Sequence, residues 1–220
     1  MLERILTYEF SLMLILLASP FAIGKMFFKE RIILAYVAVI FIFDIWGISI
    51  GISGKDNWHI YNTLMLLDTS LLVVYLNSIL NNKFQKRALN IGLSLFILSC
   101  LICIGIFGFH SKILLINSMF GDATLSIFFL LFLIYGQTGS KWISNVDNWI
   151  SVGSLFYLIG SIPFRAMFIY LLDKKQDLAI TLFDFINMSL SHFRFLLIFI
   201  GIILIIKRKT VKQVAPEVIE

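Results

Sequence analysis

Residues 31–52 read RIILAYVAVIFIFDIWGISIGI, and Asp44 is the single charge after Arg31. A helix needs about 20 mainly apolar residues to cross a bilayer, so this run is long enough to span one. The same reading extends along the chain, which predicts seven spans at about 5–27, 31–52, 60–80, 88–108, 113–135, 149–171 and 180–206. The runs are continuous, whereas a membrane barrel would show shorter segments of alternating polarity. The composition agrees. Of 220 residues 60% are hydrophobic and 14% charged, with 22 Phe, 13 Gly and 3 Pro. A soluble globule of this size cannot bury that much apolar surface, and a disordered or disulfide-framed chain has a different composition. The expected fold is therefore an all-α, polytopic bundle of seven transmembrane helices. It forms one domain over residues 1–206, followed by a short basic tail at 207–220.

The connections carry turn chemistry, as at Gly54-Lys55-Asp56-Asn57, Asn81-Asn82-Lys83 and Asp173-Lys174-Lys175. None is long enough for a soluble domain. The first span holds Glu3 before Arg4 and exceeds a usual signal-peptide core, so it reads as a retained helix. Basic residues set the orientation. One side receives Lys25, Lys29, Arg31, Lys83, Lys86, Arg87, Lys141, Lys207, Arg208, Lys209 and Lys212, eleven in all. The other receives five: Arg4, Lys55, Lys112, Lys174 and Lys175. The positive-inside rule puts the N-terminus outside and the C-terminus in the cytoplasm. The net charge of +5 lies in these loop clusters, a pattern of membrane topology and not of nucleic-acid binding.

An ionisable group in hydrocarbon is costly unless it is paired or hydrated, so charges inside the spans are the informative positions. Glu9, Asp44, Asp68, Asp122 and Asp184 are the acids, and Arg165, His192 and Arg194 the basic groups. At 1.5 Å per residue, Asp44, Asp68 and Asp122 each lie about 12–14 Å below the outer face. That shared depth predicts one polar cavity open to the outside. Helical spacing supports inward faces. Asp184, Asn187, Ser191 and Arg194 form one stripe, and Ser154, Tyr157, Ser161 and Arg165 another. Ser118, Asp122 and Ser126 repeat at four residues, and Tyr61, Asp68 and Tyr75 at seven. The serines read as helix-packing residues. The expected ligand-binding set is Asp44, Tyr61, Asp68, Asp122, Tyr157, Arg165, Asp184, Asn187, His192 and Arg194.

Helix 4 carries Cys100 and Cys103 but no charge within its apolar run, which predicts a peripheral helix. Gly47 with Gly51, and Gly153 with Gly160, allow close helix approach. Pro20 and Pro163 fall inside spans, where each removes a helical hydrogen bond. Trp46, Trp58, Trp142 and Trp149 lie near span ends, as interfacial anchors do.

Specific chemistries can be weighed on the same residues. His59 and His110 sit at outer helix ends, and no His-x-x-x-His pair occurs, so no metal or cofactor is expected. A site of His59, Asp44 and Asp68 is the one metal alternative. Gly153-Ser154 lacks the spacing of an intramembrane serine protease. Helix 7 has Met188 four residues after Asp184, where microbial rhodopsins carry the retinal lysine. A seven-helix sugar transporter would show related first and fifth helices, and no such repeat is visible.

The segment Asn57-Trp58-His59-Ile60-Tyr61-Asn62 with Asp68 resembles small seven-helix membrane proteins of Bacteroidota. The similarity continues at residues 117–122, at 148–160, and at Phe185-Ile186-Asn187 with Arg194. It covers four of seven helices and implies a bacterial inner membrane, but no activity. The residues lead to a small-ligand or signal receptor, or a binding subunit, with membrane lipids as surroundings and a separate cytoplasmic signalling partner. A proton-coupled transporter and an intramembrane lipid-modifying enzyme are the alternatives.

Overall fold

The structure is a computed structural model and describes residues 8–109, 113–136 and 142–208. Among these residues there are seven α-helices and no strand: α1 (Tyr8–Ala22), α2 (Phe28–Ile52), α3 (Trp58–Ile79), α4 (Lys83–Phe107), α5 (Leu114–Tyr135), α6 (Val146–Lys174) and α7 (Gln176–Lys207). Six of them, α2 to α7, hold stretches long and apolar enough to cross a membrane. The chain is thus all-helical with a multi-pass, membrane-like character. The described part of α1 has 15 residues, fewer than a span needs. His110, Lys112, Lys141 and the tail beyond Arg208 lie outside the described residues.

Local chemistry sets the helix ends. The Asn82 side chain accepts from the Phe84 amide at the start of α4, and the Asn145 side chain accepts from the Asp147 amide at the start of α6. Gly108, with φ of 80°, closes α4 by donating its N–H to the Ile104 carbonyl. Pro20 and Pro163 lie within α1 and α6, and neither ends its helix.

The helices α1, α2, α3, α5, α6 and α7 form a ring in that order, and α7 packs back on α1. Helix α4 lies outside, against α3 and α5, and buries only Leu89, Phe96 and Cys100. Past Arg87 its run carries no charge, so most of its surface can face lipid without burying an ion.

Packing differs along the axis. In α2 the buried positions are Glu30, Ile32, Ile33, Tyr36, Val37 and Ile40, then only Asp44 and Gly47 toward the other end. In α3 the first half buries Ile60 and Asn62, whereas the second buries Thr69, Leu72, Val73, Tyr75, Leu76 and Ile79. Phe195, Ile198, Ile202 and Ile205 of α7 join the same core as Val146, Ile150 and Leu158 of α6. All these dense segments share one end, where α2 and α6 begin and α3 and α7 finish. We call this the closed end and its opposite the open end.

Charged latches hold the closed end. The Arg208 guanidinium bridges both oxygens of buried Glu30, at 2.7 and 3.2 Å, and also donates to the Lys25 carbonyl at 3.2 Å. Lys25 Nζ donates to the Ile206 carbonyl at 2.5 Å. Lys29 pairs with Asp147, which also accepts from the Tyr75 hydroxyl at 3.1 Å. Together these contacts tie the α1–α2 turn to α7, and α2 and α3 to α6. Glu30 also accepts from the Phe27 amide at 2.8 Å. Glu30→Ala should therefore lower stability by about 1–2 kcal/mol, since Arg208 is partly exposed and can turn to water. Denaturant unfolding in micelles would check this, and an unchanged midpoint would count against the latch.

Candidate functional site

Helical register brings several polar side chains into the ring. Asp68 is ten residues into α3 and Asp122 eight residues into α5, about 15 and 12 Å from the open end. Arg165 and Arg194 reach the same zone from α6 and α7. Arg165 Nη1 lies 2.5 Å from Asp122 Oδ2 and donates to Ser118 Oγ at 2.7 Å. The Ser161 hydroxyl donates to the same Asp122 oxygen at 3.1 Å. This pair is well made, and the single Ser161 hydroxyl proton is shared between Asp122 and the Leu158 carbonyl at 2.9 Å.

The second pair is looser. Arg194 is 2% exposed, and its Nη2 stands 3.7 Å from Asp68 Oδ1, an ion pair beyond hydrogen-bond reach. Its Cζ lies 4.8 Å from the Tyr36 ring centre and 4.6 Å from that of Tyr157, both cation–π distances. Tyr157 joins the two pairs. Arg165 Nη2 donates to its hydroxyl at 3.3 Å, and that hydroxyl donates to Asn187 Oδ1 at 3.5 Å. Two acids and two arginines leave the network with no net charge, so burial does not strand a lone ion.

The Asp68 side chain points across the ring to α7 yet keeps 15% of its surface accessible, and Arg165 keeps 13%. The network therefore lies at the level where burial thins out along α2 and α3, while Phe164, Phe168 and Ala179 of α6 and α7 still pack with Trp58 and Leu115 nearer the open end. Two surface pockets of about 390 and 420 Å³ lie elsewhere, around Asn81, Asn82 and Tyr135 and around Arg31 and Ala35.

The structure thus unites Asp68, Asp122, Arg165, Arg194, Tyr157 and Asn187. It places Asp44 in a different group. Tyr61 lies within electrostatic reach of Asp44 and Glu9, and its hydroxyl fills the space beside Gly47. This group lies toward α1, α2 and α3. His192 turns to α1, with Nδ1 3.0 Å from Ser11 Oγ. Asp184 is on α7, but its side chain lies outside the described residues. No group of three His, Cys, Asp or Glu spaced to hold a metal stands among the described residues. Asp68 and Asp122 are each met by an arginine, Arg194 and Arg165.

Sequence reasoning passed over Tyr36, Ser118 and Ser161. Tyr36 sits in the apolar run quoted first, with no periodic polar neighbour to mark it. The two serines were visible as stripe positions, but the packing role given to them omits the hydrogen bonds they make to Arg165 and Asp122.

The chain matches no family model, no curated protein and no solved structure.

Proposed function

We propose that the protein is a receptor or ligand-binding subunit that takes a small polar ligand from the open end onto the Asp122–Arg165–Tyr157–Arg194–Asp68 network. The observation that carries this reading is the residual accessibility of Asp68 and Arg165 beside the fully buried Arg194, at the level where burial along α2 and α3 thins out above the latched end. A ligand that draws Arg165 away from Asp122 would also release its bond to Tyr157, and so alter the surface on which Arg194 rests. Because α7 carries Arg194 and continues to the Arg208 latch, its displacement would reach the closed end, where a cytoplasmic partner could read it. The latches favour a receptor over a carrier, which needs an exit at that end.

The proposal includes seven spans in a bacterial inner membrane, with the N-terminus outside. It is supported by Lys25, Lys29, Arg31, Lys83, Lys86, Arg87, Lys207 and Arg208, which all cluster at the closed end. A single-cysteine series tests it, built on a chain with Cys100 and Cys103 replaced by Ser. A membrane-impermeant thiol reagent applied outside should modify Asn187→Cys, and the same reagent applied to inverted vesicles should not. Modification only from the cytoplasmic side would overturn the orientation. Modification from both sides would favour a carrier. No modification from either side would remove the open-end route.

A further inference from the structure

The second pair has atoms that the protein itself does not satisfy. A guanidinium forms hydrogen bonds only in its own plane, so stacking on Tyr36 and Tyr157 leaves its N–H groups to be met along the edges. Arg194 Nε and Nη2 share one edge, and both are buried without a hydrogen-bond partner among the described residues. Asp68 Oδ1, 3.7 Å away, is in the same condition, and the Tyr36 hydroxyl faces the same carboxylate without a close hydrogen bond. Four such atoms in one place are unusual, because buried polar groups are nearly always paired.

Resting on the reading above, we propose that Arg194, Asp68 and Tyr36 form a subsite for a small zwitterion, a free α-amino acid. Two parallel N–H groups on one guanidinium edge match a carboxylate in bidentate geometry. The ammonium of the same molecule then meets Asp68 Oδ1. Both groups of an α-amino acid are borne on a single carbon, close enough to engage two partners that stand 3.7 Å apart. Charge selects the class. The network is already neutral, so a simple anion or a simple cation would leave an uncompensated charge at low dielectric. A zwitterion adds none. The Tyr36 hydroxyl, beside Asp68, stands within this group as a further donor.

The experiment uses the full chain in detergent micelles and follows its unfolding temperature with glycine, L-alanine, acetate or methylammonium. Glycine or L-alanine should raise the temperature in a saturable way, and acetate and methylammonium should not. Asp68→Asn keeps the shape but loses the charge, and should weaken the apparent affinity for glycine roughly tenfold or more. Tyr36→Phe should weaken it less, by loss of one hydrogen bond. Acetate acting as well as glycine, or glycine binding unchanged in Asp68→Asn, would overturn the assignment. So would the absence of any stabilisation, in which case water serves these atoms. Outside labelling of Asn187→Cys combined with no glycine effect would remove this subsite alone. Glycine stabilisation without outside labelling would remove the open-end route and keep the subsite.

Discussion

Arg194→Met is expected to destabilise the folded bundle by about 3–5 kcal/mol, the usual loss when one member of a buried ion pair is removed. The side chain is 2% exposed, and Asp68 is its carboxylate partner. Methionine can occupy part of the volume between Tyr36 and Tyr157, but it cannot balance Asp68. The carboxylate must then take up a proton or draw in water, and both cost free energy within a membrane. Loss of the two cation–π contacts adds to the effect. The informative comparison is Asp68→Leu/Arg194→Met, which removes both charges together. A pair replaced by apolar residues of similar volume is often neutral in stability, so the double variant should regain most of the loss. Denaturant titration in mixed micelles would give the coupling energy through a double-mutant cycle. If the double variant is no more stable than Arg194→Met, Asp68 is not what holds Arg194. By the same logic loss of Arg165 should cost at least as much, because Asp122 is 2% exposed and the neutral Ser161 hydroxyl beside it cannot balance its charge.

The contrast between these pairs shows what a sequence can and cannot carry. Apolar run length marked α2 to α7, since membrane solvation is a property of each segment taken singly. The absence of charge in the apolar run of helix 4 placed α4 on the outside for the same reason. The stripe of Tyr157, Ser161 and Arg165 was legible because helical periodicity fixes which residues share a face. Shared depth was a weaker guide. It grouped Asp44 with Asp68 and Asp122, yet depth is one coordinate, and the direction a residue faces depends on which helices are neighbours. Asp44 stands with Tyr61 and Glu9 because α2 packs between α1 and α3 in the ring. The pairing of Glu30 with Arg208 spans 178 residues, and no local pattern announces it. Tyr36 was hidden by chemistry: its ring is apolar enough to pass as core, and only the arrival of Arg194 from α7 gives it a polar partner.

Gly153→Leu is expected to abolish folding, and Gly153→Ala to cost about 1–3 kcal/mol. A Cβ at this position would lie 3.0 Å from the Arg194 carbonyl oxygen and 3.1 Å from Leu197 Cβ. Both are backbone or near-backbone atoms of α7, so neither can rotate away. The helices must separate to admit even a methyl group. Gly160 differs in the nature of its neighbour, since its added Cβ would meet the terminal methyls of Leu190 at 2.8 and 2.9 Å. A flexible side chain can shift, so Gly160→Ala should be the milder change. The order of the two alanine variants thus separates backbone contact from side-chain contact along one interface. It also bears on the network, because Gly153 touches the residue whose side chain completes it. Pushing α7 outward at Arg194 would widen the gap to Asp68. In Gly153→Ala the Asp68–Arg194 coupling energy should therefore fall, as measured by repeating the double-mutant cycle in that background. An undiminished coupling would show that Arg194 keeps its place without the close approach of α6 and α7.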